Sequence, residues 1–133
     1  MPSIFSRIIS RDIPGYIVAE DDNYLAFLDI NPLAEGHTLV IPKLEVDYIF
    51  DLEDEVLAGL HVFAKKVARG IEKVVPCERI GVTVIGLEVP HAHVHLIPIN
   101  GVHDMDFSQM KLSFSNEEFA EIAKKIKAAI EEG

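Results

Sequence analysis

His91-Ala92-His93-Val94-His95-Leu96-Ile97-Pro98 is the stretch on which the reading of this chain turns. Side chains alternate faces along a β-strand, so His91, His93 and His95 fall on one side and Ala92, Val94 and Leu96 on the other. Same-side neighbours stand ~7 Å apart, two residues at a rise of ~3.3 Å each. An imidazole is costly to bury without partners, and the flanking residues are too apolar for solvation to explain three in a row. The row therefore reads as a site. Histidines at i and i+2 can ligate zinc or another borderline metal, with further ligands from elsewhere. Alternatively one imidazole, a nucleophile near neutral pH, attacks phosphorus to form a labile phosphoramidate while its neighbours supply protons and hydrogen bonds. A plain hydrogen-bonded core cluster is the third possibility.

Outward from that strand the chain carries other ordered elements. Residues 3–10 form a short helix, with Ser3 as N-cap and Ile4, Phe5, Ile8 and Ile9 on one apolar side. Pro14-Gly15 interrupts the chain, and β-like runs follow at 16–20 and 24–29, joined by the hairpin signal Asp21-Asp22-Asn23. A loop from Asn31-Pro32 to Gly36 leads to a third strand at 37–42. Residues 52–75 carry the clearest helical period, with Leu52, Val56, Leu60, Phe63, Val67, Ile71 and Val74 at steps of three and four. Asp51 is placed to cap this helix and Pro76 ends it. Strands are read at 79–86 and 93–99, and a last helix at 116–131, where Ser115 and Glu118 make a capping-box pattern. The order α-β-β-β-α-β-β-α, with strand pairs joined by tight turns, predicts an α+β fold: a five-stranded antiparallel sheet with packed helices.

The 133 residues carry no internal repeat, low-complexity tract or linker, and they read as a single domain over 1–133. Lys and Arg number 12 against 22 Asp and Glu, a net charge of −10, which argues against a nucleic-acid groove or an anionic membrane surface. A small phosphate ligand needs only a few local donors and stays compatible with that charge. One cysteine, Cys77, leaves no intramolecular disulfide and suits a reducing compartment. No signal-peptide pattern and no membrane-spanning run is read, so the expected location is cytoplasmic.

The His-φ-His-φ-His-φ-φ run, where φ is apolar, resembles the signature of the histidine triad (HIT) family of nucleotide hydrolases and transferases. The likeness extends to Ser3-Ile4-Phe5-Ser6-Arg7-Ile8-Ile9, Ile13-Pro14, Glu20-Asp21-Asp22, Leu25-Ala26-Phe27-Leu28-Asp29-Ile30 and Gly36-His37-Thr38-Leu39-Val40-Ile41-Pro42-Lys43. It spans roughly residues 3–99. What the resemblance implies is attack by His93 on the α-phosphorus of a purine nucleotide conjugate: a phosphoramidate, an adenylate or a dinucleoside polyphosphate. The nucleotidyl-histidine is then cleaved by water to release a nucleoside monophosphate. His95 would hydrogen-bond the phosphate or the leaving-group bridge, the His91 carbonyl would orient the nucleophile, and His37 would complete the network. Asp29 would hold the ribose hydroxyls, Ile4, Phe5, Ile8, Phe27 and Ile30 would form the purine slot, and Gly86 would let the backbone approach. The covalent route needs no metal or other cofactor, and the resemblance implies a HIT-like homodimer that includes the helix at 52–75.

Two departures bear on the transfer. Many bacterial members carry a Cys-x-x-Cys pair for a structural zinc where this chain has Ser3 and Ser6, so no such zinc is expected. Members that hydrolyse adenosine phosphates have a longer donor-rich loop before the triad. This chain has Ile85-Gly86-Leu87-Glu88-Val89-Pro90, in which Glu88 would repel a phosphate unless protonated or turned away. Read without the family, Asp29 suits a turn and Ile4, Ile8 and Phe27 suit a core. His61 and His103 read as structural or surface residues. Two alternatives to the enzyme stand: a nucleotide-binding protein with little turnover, and a metalloprotein ligated by His91, His93 and His95.

Overall fold

The computed structural model describes residues 2–132. Helix α1 (Ile4–Ile9) precedes strands β1 (Ile17–Glu20), β2 (Tyr24–Leu28) and β3 (Thr38–Pro42). The long helix α2 (Asp54–Val74) leads into β4 (Arg79–Thr83) and β5 (Val94–Ile99), and helix α3 (Asn116–Glu132) closes the chain. The strands form one sheet in the order β1-β2-β3-β5-β4, every pair antiparallel. The α+β expectation holds. Among the described residues no helix is long and apolar enough to cross a membrane.

Alternation along the central strands divides the molecule. Ala26, Leu28, Val40, Val94 and Leu96 face one side, where Leu60, Phe63, Val67 and Ile71 of α2 and Phe119, Ile126 and Ile130 of α3 complete the larger core. Leu25, Phe27, Leu39 and Ile41 face the other, against Phe5 and Ile8 of α1. Each such side chain contributes ~1.5–3 kcal/mol when fully buried. The histidines share this second side, because Ala92, Val94 and Leu96 are committed to the first.

Local signals positioned several ends as read. Ser3 Oγ caps α1 by accepting from the Ser6 amide at 3.0 Å. The Ser115–Glu118 pair exchanges both capping bonds, at 2.7 and 3.1 Å. Several boundaries differ. Residues 49–51 make a 3-10 turn, so α2 starts at Asp54 behind Glu53 rather than behind Asp51. β5 starts at Val94 instead of His93, and β4 ends at Thr83 instead of residue 86. Beyond these ends main-chain groups turn away from the ladder: the Ala92 amide donates to the Val46 carbonyl at 2.7 Å, and the His91 carbonyl is taken by the His93 ring at 2.8 Å. β4 ends at Thr83, opposite His95, and in that register the diverted Ala92 and His91 groups are the ones Gly86 and Leu87 would need to continue the ladder. Residues 84–90 therefore leave the sheet as a loop, turning at Gly86, whose φ of 75° suits glycine.

Helices α2 and α3 approach closely at Gly70, where an added Cβ would overlap Ile130 Cγ1 and lie 3.3 Å from the Ile130 amide nitrogen. Gly70→Ala therefore forces the helices apart and is expected to destabilise the fold by ~1–3 kcal/mol, despite the ~1 kcal/mol gain in helix propensity. Urea denaturation of the variant measures it, and an unchanged or raised midpoint would contradict the packing described.

Candidate active site

Four histidines meet on the α1 side of the sheet, and main-chain partners dictate their tautomers. His37 accepts the Leu33 amide at Nδ1, at 3.0 Å, so its proton sits on Nε2. That Nε2–H donates to Nδ1 of His95 at 3.0 Å, which leaves the His95 proton on Nε2. His93 donates from Nδ1 to the His91 carbonyl at 2.8 Å, leaving Nε2 with its lone pair. His91 donates from Nε2 to the Pro42 carbonyl at 2.8 Å, so its Nδ1 accepts the Ser3 hydroxyl at 2.8 Å. Carbonyls accept and amides donate, so these assignments follow from the partners.

Burial favours the neutral form of His37, His91 and His95. It pushes His37 down to about 3, helped by His95 and Lys111, and His95 down to about 4, helped by His93. His91 is also lowered, chiefly by burial, although the Pro42 carbonyl and Glu45 oppose it. The 3.5 Å approach of Asp29 Oδ2 to His37 Nε2 is therefore a polar contact and not an ion pair. Burial raises the Asp29 carboxyl above its usual value, while the Asn31 amide, at 2.8 Å from Oδ1, pulls it back.

These groups floor a cavity of about 500 Å³. His93, His95 and Asp29 line it, with Phe5, Ile8 and Phe27 as an apolar wall and Gly86 on the loop opposite. Ile4 and Ile30, 51% and 64% exposed, sit at its mouth. Phe5 stands edge-on to His93, ring centroids 5.0 Å apart. His91 and His37 lie behind this floor, and His61 and His103 are exposed elsewhere. The cavity thus gathers nine of the eleven residues read from sequence, with His91 and His37 bonded to its two histidines.

The metal alternative changes shape. His91 spends both ring nitrogens on Ser3 and Pro42, so His91, His93 and His95 do not converge as ligands. Among the described residues the donors that do converge are Asp29, His37 and His95, within 4.8 Å of one another.

Three residues around the site carry no local signal in the sequence: Glu45, Phe107 and Lys111. Glu45 Oε1 accepts from the Ser3 amide at 2.7 Å and the Ser6 hydroxyl at 2.6 Å, so serines and a carboxylate anchor α1 to His91. The Ser3 and Ser6 bonds hold that carboxyl below its usual range. Phe107 and Lys111, from the segment between β5 and α3, also line the cavity.

The family model described as the HIT domain matches residues 10–102. An uncharacterised HIT-like protein of Borreliella burgdorferi is 35% identical over 92% of this chain and 94% of its own. An adenosine 5′-monophosphoramidase of Schizosaccharomyces pombe is 39% identical over 74% of each chain. The crystal structure of a HIT-like protein from Bartonella henselae superposes with a TM-score of 0.82, at 34% identity over 96% of this chain and 95% of that one.

Removing the Ser3 hydroxyl uncaps α1 and leaves His91 Nδ1 with only the Ser6 hydroxyl, 3.4 Å away and already donating to Glu45 at 2.6 Å. Ser3→Ala is expected to cost ~1–3 kcal/mol, with Ser3→Thr recovering most of it. A loss below ~0.5 kcal/mol in urea denaturation would contradict the linkage.

The lowered histidines also set a pH dependence. Between its folded value and about 6.5, each of His37, His91 and His95 binds fewer protons folded than unfolded, so stability rises with pH across that window. Stability is thus lost as pH falls below about 6.5, at up to ~1.4 kcal/mol per pH unit for each ring. Asp29, raised on folding, acts with the opposite sign, one group against three. Denaturation midpoints at pH 7, 6 and 5 are expected to decline steadily, and a flat profile would contradict burial of neutral rings.

Proposed function

The chain belongs to the HIT domain family, and on that footing we propose that it cleaves purine nucleotide conjugates at the α-phosphorus through a nucleotidyl-histidine on His93. The observation that carries the reading is the pairing of roles at the cavity floor. The His91 carbonyl holds His93 Nδ1–H at 2.8 Å, which leaves the Nε2 lone pair for attack, while His95 retains an Nε2–H as donor. An in-line attack forms the Nε2–P bond and breaks the bond from phosphorus to the leaving group, whose bridging atom accepts from His95. One water is consumed. Its hydroxyl goes to phosphorus in the second step, releasing the nucleoside monophosphate, and its proton balances the one the leaving group takes.

The surroundings suit such a ligand. Phe5, Ile8 and Phe27, with Ile4 and Ile30 at the mouth, offer a flat apolar slot for a purine, and Asp29 presents a carboxylate to the ribose hydroxyls. Gly86, without a side chain, leaves room for the phosphate. The fission yeast relative's activity, phosphoramidate cleavage, falls in this reaction class. A homodimer in the cytoplasm belongs to the same proposal: β4 is an edge strand with Val82 55% exposed, a surface that a second sheet would cover. The exposed Glu88 carboxylate at the cavity favours the second reading, nucleotide binding with little turnover.

A chromatographic assay of AMP and GMP release separates the two readings. It takes nucleoside phosphoramidates and dinucleoside polyphosphates as substrates, with wild type and His93→Ala compared. Turnover is expected to fall at least ~1,000-fold in the variant, with nucleotide affinity held within about tenfold, ~1.4 kcal/mol. Equal turnover would end the nucleophile assignment. Nucleotide binding without release by the wild type would favour the second reading.

A further inference from the structure

Residues 106–112 run beside the cavity. Phe107 stands edge-on to His95, ring centroids 4.9 Å apart at 69°, and lies 6.1 Å from His37. Lys111 folds back over that ring, Nζ 5.9 Å from its centroid, and donates to the carbonyls of Phe107 and Gln109, the latter at 3.1 Å. The Leu112 amide donates to the Pro32 carbonyl at 2.8 Å, which pins this segment to the loop after Asp29. An ammonium has three N–H groups; two go to these carbonyls and one is left over.

The charges around the cavity give that remaining N–H a purpose. Among the described residues Asp29 and Glu88 are its carboxylates, and Lys111 is the one Lys or Arg that lines it. His37 and His95 stay neutral at pH 7. The loop at 84–90, Val84-Ile85-Gly86-Leu87-Glu88-Val89-Pro90, offers no side-chain N–H or O–H to a phosphate. An anionic phosphate beside His93 would therefore meet two negative charges and a single compensating cation. That cation is held by main-chain carbonyls over an aromatic ring, so little side-chain freedom remains to be lost on binding. Its field already reaches the site: it opposes the burial that raises Asp29 and adds to the burial that lowers His37.

We propose that Lys111 is the anion-recognition residue of this site: its free N–H binds a phosphate oxygen of the nucleotide and makes the cavity selective for phosphorylated nucleosides over nucleosides. The inference rests on the nucleotide reading above. Lys111 is a specificity-determining group here and takes no part in bond making.

Calorimetric titration with AMP and with adenosine tests it, because the two ligands differ only in the phosphate. Wild type is expected to prefer AMP. Lys111→Gln should weaken AMP by about tenfold or more while leaving adenosine within twofold, and Lys111→Arg should restore most of the preference. The AMP affinity of wild type should also fall more steeply with salt than that of Lys111→Gln. Equal weakening of both ligands would overturn the proposal by showing that Lys111 only holds the segment in place. Unchanged AMP affinity would overturn it as well. A wild type that binds adenosine as tightly as AMP would remove the selectivity itself. A wild type that binds neither would overturn the nucleotide reading and this inference with it, an outcome read before any variant is made.

Discussion

The hydrogen bonds that backbone groups make to buried imidazoles govern this molecule. A neutral histidine has one proton and two nitrogens, and its chemistry depends on which nitrogen holds the proton. The Leu33 amide settles the matter for His37, and through it for His95. The His91 carbonyl settles it for His93, and the Pro42 carbonyl for His91. Nucleophile and donor are therefore distinguished by main-chain geometry, although the side chains are the same. Burial reinforces the assignment, because a low dielectric penalises the imidazolium that would erase the difference.

The sheet gives way locally to make this possible. A carbonyl that orients His93 is a carbonyl lost to the ladder, and the Ala92 amide is likewise diverted to Val46. β4 and β5 shorten, and the freed loop at 84–90 becomes a wall of the cavity. The opposite face makes no such concession: α2 and α3 bury a continuous apolar core there. One face supplies stability and the other holds the polar arrangement, with α1 tied to it through Ser3, Ser6 and Glu45.

Local and periodic features were legible in the sequence. The alternation of His91, His93 and His95 placed them on one face, the Ser3 and Ser115 caps located two helix starts, and the apolar period of α2 located its buried stripe. The family resemblance added Asp29 and His37, which the alternation alone could not connect to the row. What escaped depends on contacts between distant segments. Nothing near Glu45 announces that it meets Ser3, and nothing in the polar stretch at 101–115 announces that Phe107 and Lys111 return to the cavity. Strand ends escape for a related reason: whether a residue continues a ladder depends on where its main-chain groups are spent, and periodicity does not record that.

The most direct test of this account reads the tautomers themselves. Two-dimensional ¹H–¹⁵N NMR of protein labelled at the histidine ring nitrogens, recorded at pH 7, distinguishes Nδ1–H, Nε2–H and doubly protonated rings. Neutral Nε2–H forms are expected for His37, His91 and His95, and Nδ1–H is the expected tautomer wherever the His93 ring is singly protonated. An Nε2–H tautomer at His93, or an imidazolium at His37 or His95, would contradict it.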